Sequence, residues 1–106
     1  YIQQDKFHAQ FAADVPASDA QLMASTQRPI TEAALNEASG ESAWKSIPSW
    51  FIYGDRDLNI PAAVHAFMAK RANSKETIAV QGASHVVMIS HPDAVATLIE
   101  HAATAK

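Results

Sequence analysis

The feature of the sequence that most constrains the fold is the uninterrupted apolar run WFIY at residues 50–53, between Pro48 and Gly54. Aromatic and β-branched residues at consecutive positions are typical of a strand buried on both faces of a parallel sheet. Polar residues 55–59 follow, and then Pro61, which suits the first turn of a helix because its missing N–H needs no partner there. The run therefore predicts a buried strand, a loop and a helix, in that order.

The remainder of the C-terminal half repeats this alternation. Residues 76–80 predict a second strand, because their side chains alternate in polarity. A last helix is expected from the capping pattern at residues 90–93, where a serine and an aspartate flank an early proline. Two strands joined by a helix form a βαβ unit, which makes the strands parallel. The apolar side chains expected on the buried helix faces are Val64, Phe67 and Met68 on the first helix and Val95, Leu98 and Ile99 on the last.

The first 45 residues have a different composition, rich in Ala, Gln, Asp and Glu, and predict three short helices. The first follows Asp5 as its N-cap and has Phe7 and Phe11 on one face. The other two are expected over residues 16–27, with Leu22 and Met23 buried, and from residue 31 to residues 39–40. Such helices bury narrow apolar stripes, so we expect them to cover another part of the fold.

Composition excludes several classes of function. Eight basic and eleven acidic residues give the 106-residue chain a formal charge of -3. No cluster of Lys or Arg is present, so neither a nucleic acid nor an anionic membrane surface is an expected partner. The absence of cysteine excludes disulfides and thiolate chemistry. The apolar runs are too short for a membrane-spanning helix, which needs about 20 residues, and the cellular compartment stays open.

Two polar loops are the candidates for chemistry, because ligands of parallel sheets bind at the carboxyl ends of the strands. Asp57 follows the first strand and His85 follows the second. On neighbouring strands they would form a pair in which the carboxylate fixes the tautomer of the imidazole and stabilises its protonated form. The alternatives are a loop- or helix-capping role for Asp57 and, for His85, a buried histidine that bonds a loop carbonyl.

The other polar residues near the two loops and the other histidines are assigned to structural roles. Asp55 is expected to face solvent or pair with Arg56, and Ser84 to be a turn residue. No three ligands at metal-binding spacing are evident, so no metal site is predicted. His91 is expected to cap the last helix. The remaining histidines, His8, His65 and His101, are expected to have surface or packing roles.

The residues around the expected pair resemble the C-terminal portion of the α/β-hydrolase superfamily. The similarity lies in IPSWFIYGDRDLNIP at residues 47–61 and GASHVVMISHP at residues 82–92. It implies that Asp57 is the acid and His85 the base of a catalytic triad. It also implies that residues 46–106 are the βαβα end of the core and that residues 1–45 are the end of a cap region. The expected fold class is thus α/β: two parallel strands with crossover and terminal helices, preceded by short cap helices.

The chain departs from this family at the nucleophile. The family's Gly-x-Ser-x-Gly elbow is absent, and the nearest strings, GESAW at residues 40–44 and GASHV at residues 82–86, lack the second glycine. In the family the nucleophile precedes the acid and the histidine, so it is expected upstream of Tyr1. The sequence is therefore interpreted as a C-terminal fragment that is inactive by itself.

The resemblance implies serine acyl transfer on a small ester-like substrate, with no cofactor. The expected partner is the missing N-terminal part of the same protein or another copy of this chain. Two alternatives stay open: a non-catalytic interaction module that associates through exposed strands, and a small binding domain in which the Asp57 and His85 spacing is accidental.

Overall fold

The computed structural model describes residues 1–105. Two parallel strands alternate with helices in the C-terminal half, and short helices precede them. The elements are α1 (Gln4–Phe11), α2 (Ala17–Ser25), α3 (Glu32–Asn36), a 3-10 turn (Ala43–Lys45), β1 (Trp50–Gly54), α4 (Ala62–Arg71), β2 (Glu76–Val80), α5 (Val87–Ser90) and α6 (Pro92–Thr104). Within the described range, no helix is both long enough and apolar enough to cross a bilayer.

The central unit is β1–α4–β2, as the apolar run and its flanking prolines and glycine predict. The strands pair in parallel, in a register that runs from Trp50 opposite Glu76 to Gly54 opposite Val80. The expectation that β1 is buried on both faces is wrong for this chain, since residues 50–53 are all only half-buried. The physical reason is that β2 is the one neighbouring strand of β1 in residues 1–105, so the other edge of β1 has no partner.

In two helices, α2 and α4, the buried faces differ from the predicted ones because small residues make the close contacts. In α2 the buried side chains are Ala20 and Ala24, whereas Leu22 is 64% exposed. In α4 the buried residue is Ala69, whereas Phe67 is 61% exposed. An alanine face lets a helix approach its neighbour closely, and the larger side chains then lie outside that contact.

At two helices the observed N-cap differs from the predicted one. Helix α1 begins at Gln4, with Gln3 at the N-cap, and Asp5 lies in the first turn, where its negative charge interacts favourably with the helix dipole. The short helix α5 was not predicted. It contains Ser90, whose N–H bonds the carbonyl of Val86, so His91 and not Ser90 precedes α6.

The apolar core joins the first helices to the loop after β2. It is a cluster from α1, α2 and the intervening turn that also includes Val86, the residue next to His85. Inside it the rings of Phe7 and Phe11 lie 5.0 Å apart, as their spacing on α1 predicts. The buried members are Phe7, Ala12, Val15, Ala20, Ala24 and Val86. The N-terminal helices therefore cover part of the C-terminal half, in the manner expected of a covering layer.

Candidate active site

Gly54 brings together the two loops at the carboxyl edge of the sheet. It is the last residue of β1 and is buried. A Cβ atom at this position would collide with the backbone carbonyl oxygens of Ala83 and Ser84. The loop after β2 can therefore cross directly against the end of β1 only because residue 54 has no side chain.

Asp55 and its neighbour Arg56 connect the same two loops by hydrogen bonds. Its backbone N–H donates to the carbonyl of Val80 at 3.1 Å, and the Arg56 N–H donates to the carbonyl of Ala83 at 3.0 Å. The Asp55 carboxylate accepts the N–H of Gly82 at 2.7 Å. The expectation of a solvent-facing or Arg56-paired Asp55 thus missed its connection to the second loop.

Asp57 lies at the centre of the site with both carboxylate oxygens engaged. Its side chain is 2% exposed. One oxygen, Oδ1, accepts the backbone N–H groups of Asn59 at 2.8 Å and Ile60 at 2.9 Å. The other, Oδ2, lies 2.7 Å from Nδ1 of His85. The loop-capping bonds and the hydrogen bond to His85 therefore coexist, because each uses a different oxygen of the same carboxylate.

His85 is oriented by Asp57 on one side and by an aromatic ring on the other. With Asp57 ionised, Nδ1 carries the proton and donates it to the carboxylate, which leaves the lone pair on Nε2. The ring centroid lies 4.6 Å from that of Phe11 in α1. The His85 side chain is 24% exposed, so its ring remains partly accessible to solvent. In residues 1–105, Nε2 of His85 has no hydrogen-bond acceptor or donor opposite it.

His65 is the residue of the site that the sequence analysis missed. Its Nε2 lies 3.0 Å from Oδ2 of Asp57, on the oxygen that His85 also contacts. Its ring stacks on Tyr53 of β1, with centroids 5.0 Å apart and planes 13° apart. The available signal was the position of His65 near the start of the helix that follows the Asp57 loop, which returns it to the same edge.

The hydrogen bonds keep Asp57 ionised. Burial by itself raises the pKa of Asp57, but donors from the Ile60 N–H, His65, His85 and the Asn59 N–H outweigh it and hold the pKa below its ordinary range. The site therefore presents a fixed negative charge to His85. Such a charge stabilises the imidazolium that forms when His85 accepts a proton.

The same three side chains have the donor set of a metal site. One atom from each of Asp57, His65 and His85 lies within 4.8 Å of the others. The convergence of these three side chains was not expected from their spacing in the sequence. Hydrogen bonds of 2.7 and 3.0 Å already join both imidazoles to Oδ2, so the geometry is accounted for without a cation.

The other candidate residues lie apart from this network. His91 occupies the N-cap position of α6 and approaches Asp14 at 3.4 Å. His101 bonds Glu76 at 3.0 Å near the opposite end of the strand, and His8 bonds the carbonyl of Val15 at 2.9 Å. Ser84 is 2% exposed, so its hydroxyl is not presented to a substrate.

Comparison with known proteins finds a curated relative of the chain. The alpha/beta hydrolase nvfD of Aspergillus novofumigatus (strain IBT 16806) is 31% identical over 77 residues, which are 73% of this chain and 30% of that protein. The chain thus spans about a third of the length of this curated relative. No solved structure matches the chain. A model of the alpha/beta hydrolase family matches residues 2–98, nearly the whole chain, and the chain therefore belongs to this family.

Proposed function

We propose that this chain supplies the acid and the base of an ester hydrolase that acts by serine acyl transfer. The observation that carries the proposal is the 2.7 Å hydrogen bond between Asp57 and Nδ1 of His85 at the carboxyl edge of the sheet. It leaves Nε2 free to accept a proton, as a general base requires. Family membership supports a hydrolytic reaction on a small molecule.

In the proposed mechanism, Nε2 of His85 takes the proton of the serine hydroxyl as its oxygen attacks the ester carbonyl. Collapse of the tetrahedral intermediate breaks the bond to the alcohol, and His85 returns the proton to the leaving alkoxide. His85 next deprotonates a water that attacks the acyl-enzyme, and the carboxylic acid leaves while serine regains the proton. Asp57 stays ionised and stabilises the imidazolium in both steps.

The serine belongs outside the described residues in this proposal. A nucleophile elbow joins the end of a strand to the start of a helix. Among residues 1–105, β1 is followed by Asp55 and β2 by Gln81, and neither loop contains Gly-x-Ser-x-Gly. The chain order of the family places the elbow before the acid. The oxyanion donors are proposed to come from the same segment as the serine.

Hydrolysis of a p-nitrophenyl ester by the longest expressed form of the protein tests the assignment. We expect Asp57→Asn to lower kcat about 10³- to 10⁴-fold, because the amide no longer fixes the correct tautomer. His85→Ala should lower kcat at least as much, while His101→Ala, at another histidine that bonds a carboxylate, should leave it unchanged. Undiminished turnover in both site variants would refute the proposal.

The 106-residue chain alone provides the complementary measurement. With acid and base present but no elbow, it should hydrolyse the ester no faster than its own His85→Ala variant. Turnover that depends on His85 in the isolated chain would show that a hydroxyl of this chain acts as the nucleophile. That result would contradict the assignment of the serine to another segment.

A further inference from the structure

We propose that His65 is a positioning residue for the Asp57–His85 pair, acting through the carboxylate oxygen that both imidazoles share. The catalytic meaning of this inference rests on the proposed function, whereas its structural part concerns the hydrogen bond alone. A triad requires one carboxylate and one imidazole. The second imidazole, 15% exposed and 3.0 Å from Oδ2, is thus left without a role in that scheme.

The protonation pattern of the site is fixed by counting donors and acceptors. Asp57 is ionised and can only accept, so every polar neighbour must donate to it. Oδ1 receives two backbone N–H groups, and Oδ2 receives Nδ1–H from His85 and Nε2–H from His65. His65 is therefore the Nε2–H tautomer when neutral, opposite to His85, which is the Nδ1–H tautomer.

The two bonds at Oδ1 do not orient the carboxylate completely. With Oδ1 held by Asn59 and Ile60, the carboxylate plane can still turn and move Oδ2 relative to His85. A donor at Oδ2 from a second direction removes this freedom. Because His65 and His85 come from different elements, Oδ2 is held between α4 and the loop after β2.

His65 is suited to this task because it is itself held in place. Its backbone N–H bonds the carbonyl of Pro61 in the first turn of α4, at 3.3 Å. Its ring lies nearly parallel to that of Tyr53, which belongs to β1. The position of Oδ2 is thereby tied to the sheet and to the crossover helix, and not only to the loop that contains Asp57. His65 thereby keeps Oδ2 aimed at Nδ1 of His85.

Two substitutions separate the donor of His65 from its ring. His65→Phe retains an aromatic ring against Tyr53 and removes the N–H, whereas His65→Gln retains an N–H donor of similar reach and removes the ring. If the N–H of His65 positions the carboxylate, the Phe variant should lose the fixed orientation of Oδ2. The Gln variant should keep most of it. A packing role predicts the reverse. His101→Phe is the matched control, since His101 also lies on a helix and bonds a carboxylate, Glu76.

The first readout is the His85 Nδ1–H resonance of this chain, observed by NMR with ¹⁵N-labelled histidine. In His65→Phe we expect this proton to exchange with water at least about tenfold faster, because a loosened Oδ2 holds it less firmly. His65→Gln and His101→Phe should retain the parental signal. Circular dichroism checks that each variant is folded. The inference would be overturned if the His85 Nδ1–H proton still exchanged slowly in His65→Phe. It would also be overturned if this signal were lost in His65→Gln but not in His65→Phe.

The second readout is ester hydrolysis by the longest expressed form. His65→Phe should lower kcat roughly tenfold or more, since small misplacements of catalytic groups have effects of up to about 10². KM should be unchanged, and Gln should restore most of kcat. If turnover does not depend on Asp57 and His85 at all, the proposed function fails, yet the NMR comparison still decides whether His65 positions the carboxylate.

Discussion

At the scale of single residues, Asp57 combines several structural tasks in one carboxylate. Its four hydrogen bonds close its own loop, fix His85 and hold His65. A group so well hydrogen-bonded in its charged form stabilises the folded state as long as it is ionised. The lowered pKa of Asp57 therefore has a consequence for the stability of the fold.

The stability of the chain should consequently fall with acid. Burial raises the pKa of Asp57, but a larger opposite effect comes from the hydrogen bonds of Ile60, His65, His85 and Asn59. The pKa is therefore below its ordinary value. An aspartate in the unfolded chain has a pKa of about 3.9, so its contribution is complete above that pH and is lost as the pH falls through the lower, folded value. Urea unfolding of this chain between about pH 2.5 and pH 6 measures this loss.

Asp57→Asn should make the free energy of unfolding less dependent on pH below about pH 4, because the amide does not titrate. Some dependence should persist from Asp14: burial opposes ionisation of its carboxyl, but nearby polar groups of Ser84 and Ser90 outweigh this and lower its pKa. Asp93→Asn, in the exposed first turn of α6, serves as the control. If the free energy of unfolding of Asp57→Asn fell with pH as steeply as that of the parent chain, this account would be contradicted.

At the scale of elements, the site depends on the contact between the end of β1 and the loop after β2. We expect Gly54→Ala to lower the free energy of unfolding by about 1–3 kcal/mol, as overpacking does in a well-packed core. The reason is that the added Cβ meets two backbone carbonyls, which cannot move aside like a flexible side chain. Urea denaturation of this chain measures the change.

Gly40→Ala is the matched control for this prediction, because a Cβ there has nothing within 4 Å. Its effect should lie within about 0.5 kcal/mol, as for most surface substitutions. The Gly54 variant should also lose the slow-exchanging His85 proton, since the loop that contains His85 would be displaced. Equal stability of the two variants would show that the loops do not need to approach so closely.

The elements themselves were largely predictable from local sequence. The run at residues 50–53, with Pro48 and Gly54 at its limits, specifies β1 without knowledge of any partner, and Pro61 places the start of α4. The same reasoning placed Asp57 and His85 at one edge, because parallel strands share their carboxyl ends. The chemistry expected of that edge came from the resemblance to α/β-hydrolases.

The helix faces and His65 were not predictable in this way. Periodicity identifies an apolar stripe but not the distance to its partner, so Leu22 and Phe67 were expected inside where Ala20 and Ala69 lie. His65 contacts Asp57 only because the loop at residues 55–61 turns back on itself. That turn depends on the Asp57 side-chain bonds to backbone N–H groups, which no sequence period encodes.

At the scale of the whole molecule, the chain is less compact than a closed domain. Its radius of gyration is 15.3 Å, whereas a single domain of this length is expected near 13 Å. Large apolar side chains are exposed on α4 and the loop before it, including Leu58 at 71% and Phe67 at 61%. A second copy of this chain can cover such surfaces and the open edge of β1.

The isolated chain should therefore self-associate. We expect the mass measured by light scattering after size-exclusion chromatography to rise with protein concentration from that of the 11.4 kDa monomer. Phe67→Ser should shift this rise to higher concentration, because it removes apolar area that association would bury. Thr97→Ser, an exposed change on α6 that retains a hydroxyl, is the control. A constant monomer mass at all concentrations would contradict the prediction.

The core shared by α1, α2 and Val86 limits how this molecule can be altered by recombination. Val86 immediately follows His85, and Phe11 lies against the His85 ring. Replacing α1 and α2 by the corresponding helices of a relative would therefore change the surface, formed by Phe11 and its neighbours, against which the His85 ring packs. Substitutions in α1 and α2 must therefore remain compatible with the position of the His85 ring.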